Sequence, residues 1–370
     1  MNLLSVSSIL NTILAVVLAI VILLAMITIH EFGHYTAGKI LKFKINEFAI
    51  GFGPKLFRRT SKRNGEAFSV RLLPLGGFCA FEGEDADTLN PASFNNKAPW
   101  KRIIVLLSGP LMNYILAVLL IIISFFSFGQ MLFKVGAVAP VADESYIGYT
   151  LQENDLILNV DGEGIYLVTD MMGALKGKHA GDEVKVKLIR GGKKITTVIK
   201  LQADCDFKNS EEVGRIWRAL GVGTYEDADG ISYWAVGTQN YRFGFFETIG
   251  RAFMYSFRIA GTIFTVLGEL LTGHLGLSAM GGPVTTIKLT SQIASQSVQN
   301  FFEIAAYIGV NLAVFNLLPI PALDGSKVVF CLIEWIFRKP VPRKIEAVIH
   351  GVGFILILAF AVVIDILQFV

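Results

Sequence analysis

Charge is scarce in this chain. Asp, Glu, Lys and Arg make up 17% of its 370 residues and 53% are hydrophobic, whereas soluble proteins carry roughly 25% charged residues. That shortage argues against an ordinary soluble enzyme, because so much apolar surface could not be covered by one water-facing fold. Cysteine is scarce as well. Cys79, Cys205 and Cys331 are scattered, with neither the spacing of a cysteine metal site nor a disulfide framework, so they are read as inert. Neither sign of charge dominates, since the net charge is +3. The basic residues are spread along loops, so no nucleic-acid partner is indicated. The first apolar run has no charged n-region and no small-residue cleavage site before residue 30. It is therefore expected to be a retained helix.

What is present is a set of apolar runs close to the ~20 residues that cross a bilayer. Spans are expected at about 10–38, 103–128, 301–337 and 348–365. The loop after the first carries Lys39, Lys42, Lys44, Lys55, Arg58, Arg59, Lys62 and Arg63. An excess of this kind marks the cytoplasmic side and puts both chain ends outside. Residues 66–82 are too short for a helical span, too apolar for a plain loop, and broken by Pro74, Gly76 and Gly77. A β-hairpin on or in the membrane face is expected there.

Residues 130–203 turn soluble in character. Leu156–Val160 reads as a strand and 168–176 as a short helix, while Val184, Val186 and Leu188 alternate with charges before Gly191-Gly192. This pattern resembles a PDZ domain of the bacterial protease type. Asn154 in Leu151-Gln152-Glu153-Asn154-Asp155 stands where such domains have a glycine. Residues 204–300 read as a connector, with an amphipathic helix on the outer membrane surface at 246–271, where Arg251, Arg258 and Glu269 interrupt the apolar content. The expected fold class is thus a polytopic α-helical membrane protein of about four spans. It carries a membrane-associated β-hairpin and an inserted extracytoplasmic PDZ-like α+β domain. In sequence order, 1–129 and 301–370 form the membrane parts.

At the end of the first apolar run stands His30-Glu31-Phe32-Gly33-His34. Two histidines four apart lie on one helix face and can share a zinc ion, with the glutamate placed as general base. Ionisable groups at the edge of a membrane helix are costly, and are read as functional for that reason. A catalytic zinc usually has three protein ligands. Asp324, in the broken third span, is the best candidate for the third. His179, His274 and His350 lie away from the motif and are assigned no role.

Together with Asn316-x-x-Pro319-x-Pro321-x-Leu323-Asp324-Gly325 and the inserted PDZ-like domain, the motif resembles the site-2 protease family (M50). The order is that of the RseP/RasP-type intramembrane zinc metalloproteases. Gly109-Pro110 with Asn113, and Gly282-Pro283, match further places in that family, whereas Ser326 stands where a second glycine is common. The resemblance implies Zn2+ held by His30, His34 and Asp324, with Glu31 as the catalytic base. It assigns Gly76, Gly77, Asn316, Pro319 and Pro321 to substrate binding. It further implies a bacterial plasma-membrane enzyme acting on a single-span protein within the lipid bilayer. An anti-sigma factor or a signal-peptide remnant would suit, cleaved after a prior cut. The other reading is a non-catalytic zinc-containing scaffold that binds peptides through its PDZ domain. The intact Glu31 argues against it.

Overall fold

A computed structural model describes residues 6–84, 88–141, 144–207, 212–227, 229–276 and 281–369. In chain order the helices are α1 (Val6–Ile40), α2 (Pro99–Phe128), α3 (Val168–Leu175), α4 (Val213–Ala219), α5 (Phe245–Leu271), α6 (Pro283–Ala294), α7 (Val298–Leu317), α8 (Asp324–Phe337) and α9 (Arg343–Phe369). The strands are β1 (Ile45–Thr60), β2 (Ala67–Phe81), β3 (Gln130–Val135), β4 (Leu156–Val160), β5 (Glu163–Gly164), β6 (Glu183–Arg190), β7 (Lys193–Lys200), β8 (Thr224–Glu226), β9 (Ser232–Trp234) and β10 (Val236–Tyr241). Two compact units emerge: residues 1–121 with 277–370, and residues 122–276.

Five helices among the described residues are long and apolar enough to cross a membrane: α1, α7 and α9 in the first unit, α5 in the second, and α2, which runs from residue 99 in the first into the second. The exposed side chains of α9 include Val352, Phe354, Ile355, Leu356 and Leu358, an exterior suited to lipid and not to water. The third expected span is two helices. α7 stops at Leu317, the chain passes Pro319 and Pro321, and α8 starts at Asp324. Neither proline has an N–H for a helical ladder, which is why the break falls here.

The stretch 66–82 does not pair with itself, as a hairpin confined to it would. Its partner is β1, in the stretch read from sequence as part of a basic loop. Residues 55–60 pair with 67–71, while Glu47–Ile50 lie between Ala67–Val70 on one side and Gly77–Ala80 on the other. Gly51 and Gly53, at φ of 85° and 82°, allow β1 to bend back into this second register. The segment 77–81 is left as a sheet edge. Ile45, Cys79 and Phe81 pack with Phe43, Phe94, Val105 and Leu106 beneath the ribbon.

The second unit is built on the sheet order β10-β3-β4-β6-β7, with β5 against β4. The alternation in β6 does what the sequence implies. Val184, Val186 and Leu188 are buried while Glu183, Lys185 and Lys187 face out. The core does not end at Leu201, however. Ile216, Trp217 and Leu220, from α4 and its exit, join Met171, Leu175, Leu188 and Ile199 in one cluster. Each such fully buried side chain contributes roughly 1.5–3 kcal/mol. Asn154 is left-handed at φ 70°, a conformation asparagine tolerates. The next residue, Asp155, is fully buried and accepts two 2.7 Å bonds from Arg190 and one of 2.8 Å from the Gln152 N–H.

α5 is two-faced. Thr248, Ala252, Ser256, Ile259 and Ile263 form its buried stripe. Its charges are spent inside this unit: Glu247 pairs with Lys194 at 2.7 Å, Arg251 with Gln130, and Arg258 with Glu163 at 2.6 Å. Phe246, Phe253, Phe257 and Phe264 remain exposed.

Candidate metal centre

His30 and His34 sit on consecutive turns of α1, so their rings leave the helix on the same side. Both are buried. Their Nε2 atoms are 3.1 Å apart, and Asp324 Oδ2 lies 3.0 Å from His30 Nε2 and 3.2 Å from His34 Nε2. The three side chains form a group able to hold a metal ion. A tetrahedral ion with bonds of about 2.0–2.1 Å spaces its ligands about 3.3 Å apart. The triangle and its nitrogen–nitrogen–oxygen donors fit zinc.

The outer nitrogens are engaged. His34 Nδ1 donates to the Val105 carbonyl of α2 at 2.8 Å. His30 Nδ1 faces the Asn113 amide at 3.4 Å. The Val105 bond keeps the proton of His34 on Nδ1 and leaves its Nε2 free for a ligand role, while the Asn113 amide steadies the His30 ring. α2 comes this close because it is bare where it meets α1. A β-carbon on Gly33 would strike the Ser108 carbonyl, and one on Gly109 would strike both imidazoles.

Glu31 sits beside the triangle, next to the sheet edge. Its carboxylate accepts from the Cys79 backbone N–H, and Gly77 presents bare backbone to it. Gly76 turns the strand at φ 113°, in a space filled by the Phe52 ring. The sequence-predicted residues thus separate into groups. His30, His34, Glu31 and Asp324 converge, Gly77 adjoins Glu31, and Gly76 shapes the bend. Asn316 Nδ2 donates to the Leu312 carbonyl of its own helix at 2.9 Å. Pro321 packs against Gly353 of α9. Gly325 lets α8 start against the last carbonyls of α7, at Leu317 and Leu318. Buried Ser326 ties the first turn of α8 to the Leu323 carbonyl at 2.7 Å. Val105 was not legible as a site residue, since its part is played by a backbone oxygen.

Known proteins resemble this chain over nearly its whole length. The model of peptidase family M50 matches residues 18–360. A protein of Clostridium perfringens provisionally named a zinc metalloprotease is 33% identical over 354 residues, which is 95% of this chain and 97% of the relative. A similarly named protein of Campylobacter jejuni is 31% identical over 341 residues, covering 90% of this chain and 87% of the relative. The zinc metalloprotease RasP of Bacillus licheniformis is 27% identical over 448 aligned positions, covering 95% of this chain and 97% of RasP. The chain belongs to peptidase family M50.

Proposed function

We propose that this chain is an intramembrane zinc metalloprotease of the site-2 type, cutting transmembrane segments of membrane-anchored proteins. One observation carries the reading: His30, His34 and Asp324 meet within hydrogen-bonding distance, with Glu31 alongside, on a helix long enough to span a bilayer. When bound there, zinc supplies Lewis-acid polarisation of a scissile carbonyl and a water whose pKa falls from about 15.7 towards about 7. Glu31 takes the water's proton and returns it to the leaving amine, and the Cys79 N–H holds its carboxylate at that station. A substrate helix must unwind to expose its peptide bond, and its freed backbone groups need partners in a place without water. The bare edge at Gly76 and Gly77 offers them beside Glu31. Asn316, just before the break, and Pro319 and Pro321 within it are assigned to the same substrate-handling surface.

Topology follows from charge and parity. The hairpin turn with Arg58, Arg59, Lys62 and Arg63 is cytoplasmic, so α1 delivers its motif to the cytoplasmic side. α2 returns, leaving the second unit outside. Asp324 reaches the same depth as His30 only if α7 also starts outside, so α5 does not cross. Its charges, paired within its own unit, suit a helix lying on the surface. Residues 130–203 of the second unit are read as the PDZ-like module. It admits single-span substrates of the anti-sigma-factor or signal-peptide-remnant class after a first cut has removed their outer part. The protein is placed in a bacterial plasma membrane on this account.

Two assays test the proposal. Zinc content and cleavage of a single-span substrate in liposomes are compared for wild type, Glu31→Gln and Asp324→Asn. The base-less variant should keep zinc and lose at least about 100-fold in kcat, while Asp324→Asn should lose zinc. Full activity in Glu31→Gln removes the mechanism. For the filter, substrates with and without a folded outer domain are compared, and equal cleavage of both would sink that part.

A further inference from the structure

The turn that carries Asp324 is held from outside its own helices. Between α7 and α8 the chain runs Leu318-Pro319-Ile320-Pro321-Ala322-Leu323. Ala322 sits at φ 75°, a left-handed conformation that a β-carbon disfavours and that persists only where the surroundings impose it. The imposing group is on α9. The Ala322 N–H donates to His350 Nδ1 at 3.0 Å. One turn further along α9, Gly353 leaves the space that the Pro321 ring fills; a β-carbon there would coincide with it. Phe330 of α8 packs edge-on against the imidazole, with ring centroids 5.6 Å apart at 70°. To accept at Nδ1, His350 must carry its proton on Nε2, which lies 3.8 Å from Glu346 Oε1, beyond hydrogen-bonding reach. α9 therefore offers a notch, half acceptor and half void, shaped to one strained residue and the proline before it.

We infer that His350 is a positioning residue of the metal centre. By clamping Ala322 in its left-handed conformation it sets the direction in which Asp324, two residues on, enters the site. Gly353 makes the seat in which this clamp works. The inference rests on the reading of Asp324 as a metal ligand. It assigns a part to a histidine that contacts neither the metal-binding atoms nor Glu31.

The test uses the full-length chain reconstituted with zinc or cobalt(II). Four variants are compared with wild type: His350→Leu, His350→Asn, Gly353→Ala and Asp324→Asn. Asparagine keeps an acceptor oxygen near the place of Nδ1, and leucine does not. Zinc affinity is measured by chelator competition, the ligand set by the visible cobalt bands, and catalysis as separate kcat and KM. His350→Leu should weaken zinc about tenfold or more, as loss of an outer partner does, shift the cobalt bands and lower kcat with KM unchanged. His350→Asn should restore all three, and Gly353→Ala should shift the bands in the same sense as leucine. Wild-type zinc affinity and bands in His350→Leu would overturn the inference. If the leucine variant does not fold, a wild-type spectrum in Gly353→Ala or a broken site in His350→Asn overturns it. Zinc affinity unchanged in Asp324→Asn would instead remove the ligand reading beneath it.

Discussion

At the scale of single residues, the site depends as much on what is missing as on what is present. Gly109 and Gly33 carry no side chain where α1 and α2 touch, and this lets the Val105 carbonyl and the Asn113 amide reach the outer nitrogens of the two histidines. Gly109→Ala should therefore push the imidazoles apart, and Asn113→Leu should leave His30 unsteadied. Each is expected to lower zinc affinity by about 10–100-fold, read by chelator competition, with helix content by circular dichroism unchanged. The triad itself was legible because ionisable residues in an apolar run are expensive and need a reason. His350 was not legible. Beside Arg343 and Lys344 it looks like any histidine near cytoplasmic charge, and its meaning comes from a contact with Ala322 that only the folded chain makes.

At the scale of elements, regular alternation was read well and broken alternation was not. β6 and α3 fall where their patterns put them. β1 was missed because Gly51 and Gly53 interrupt its period and its second half, Lys55 to Thr60, is rich in cations. The short strand β10 likewise lies in a stretch with no clear period, yet it closes the sheet against β3 through Val236↔Val135 to Tyr241↔Gln130. The turn before β4 makes a sharper point. Asp155 is wholly buried and held by the Arg190 fork and the Gln152 N–H. Removing one partner of a buried ion pair strands the other, at about 3–5 kcal/mol. Because Arg190 keeps contact with water, Asp155→Ala is expected below that range, about 1–3 kcal/mol. The effect would appear as a lower midpoint for the second unit in urea unfolding, with zinc content unaltered.

At the scale of the whole molecule, the proposed topology has four crossings, with α5 outside. The native thiols give a quiet background for testing it, since all three are buried. That of Cys205 is pushed up to about 11 by burial, with Asp204 beside it adding to the effect. Single cysteines at Lys62, Lys185 and Leu271 would then be probed with a membrane-impermeant maleimide. Lys62 should label only from the cytoplasmic face, and Lys185 and Leu271 only from the other. Labelling of Leu271 from the cytoplasm would make α5 a fifth span.

The claim on which all of this turns is that the bond cut lies inside a membrane segment. Its most direct test is mass spectrometry of the fragments from a single-span substrate incubated with the zinc-loaded protein in liposomes. One dominant cut is expected within the apolar segment, towards its cytoplasmic end, and none with Glu31→Gln. A cut confined to the water-exposed flanks, or one that persists without Glu31, would contradict it.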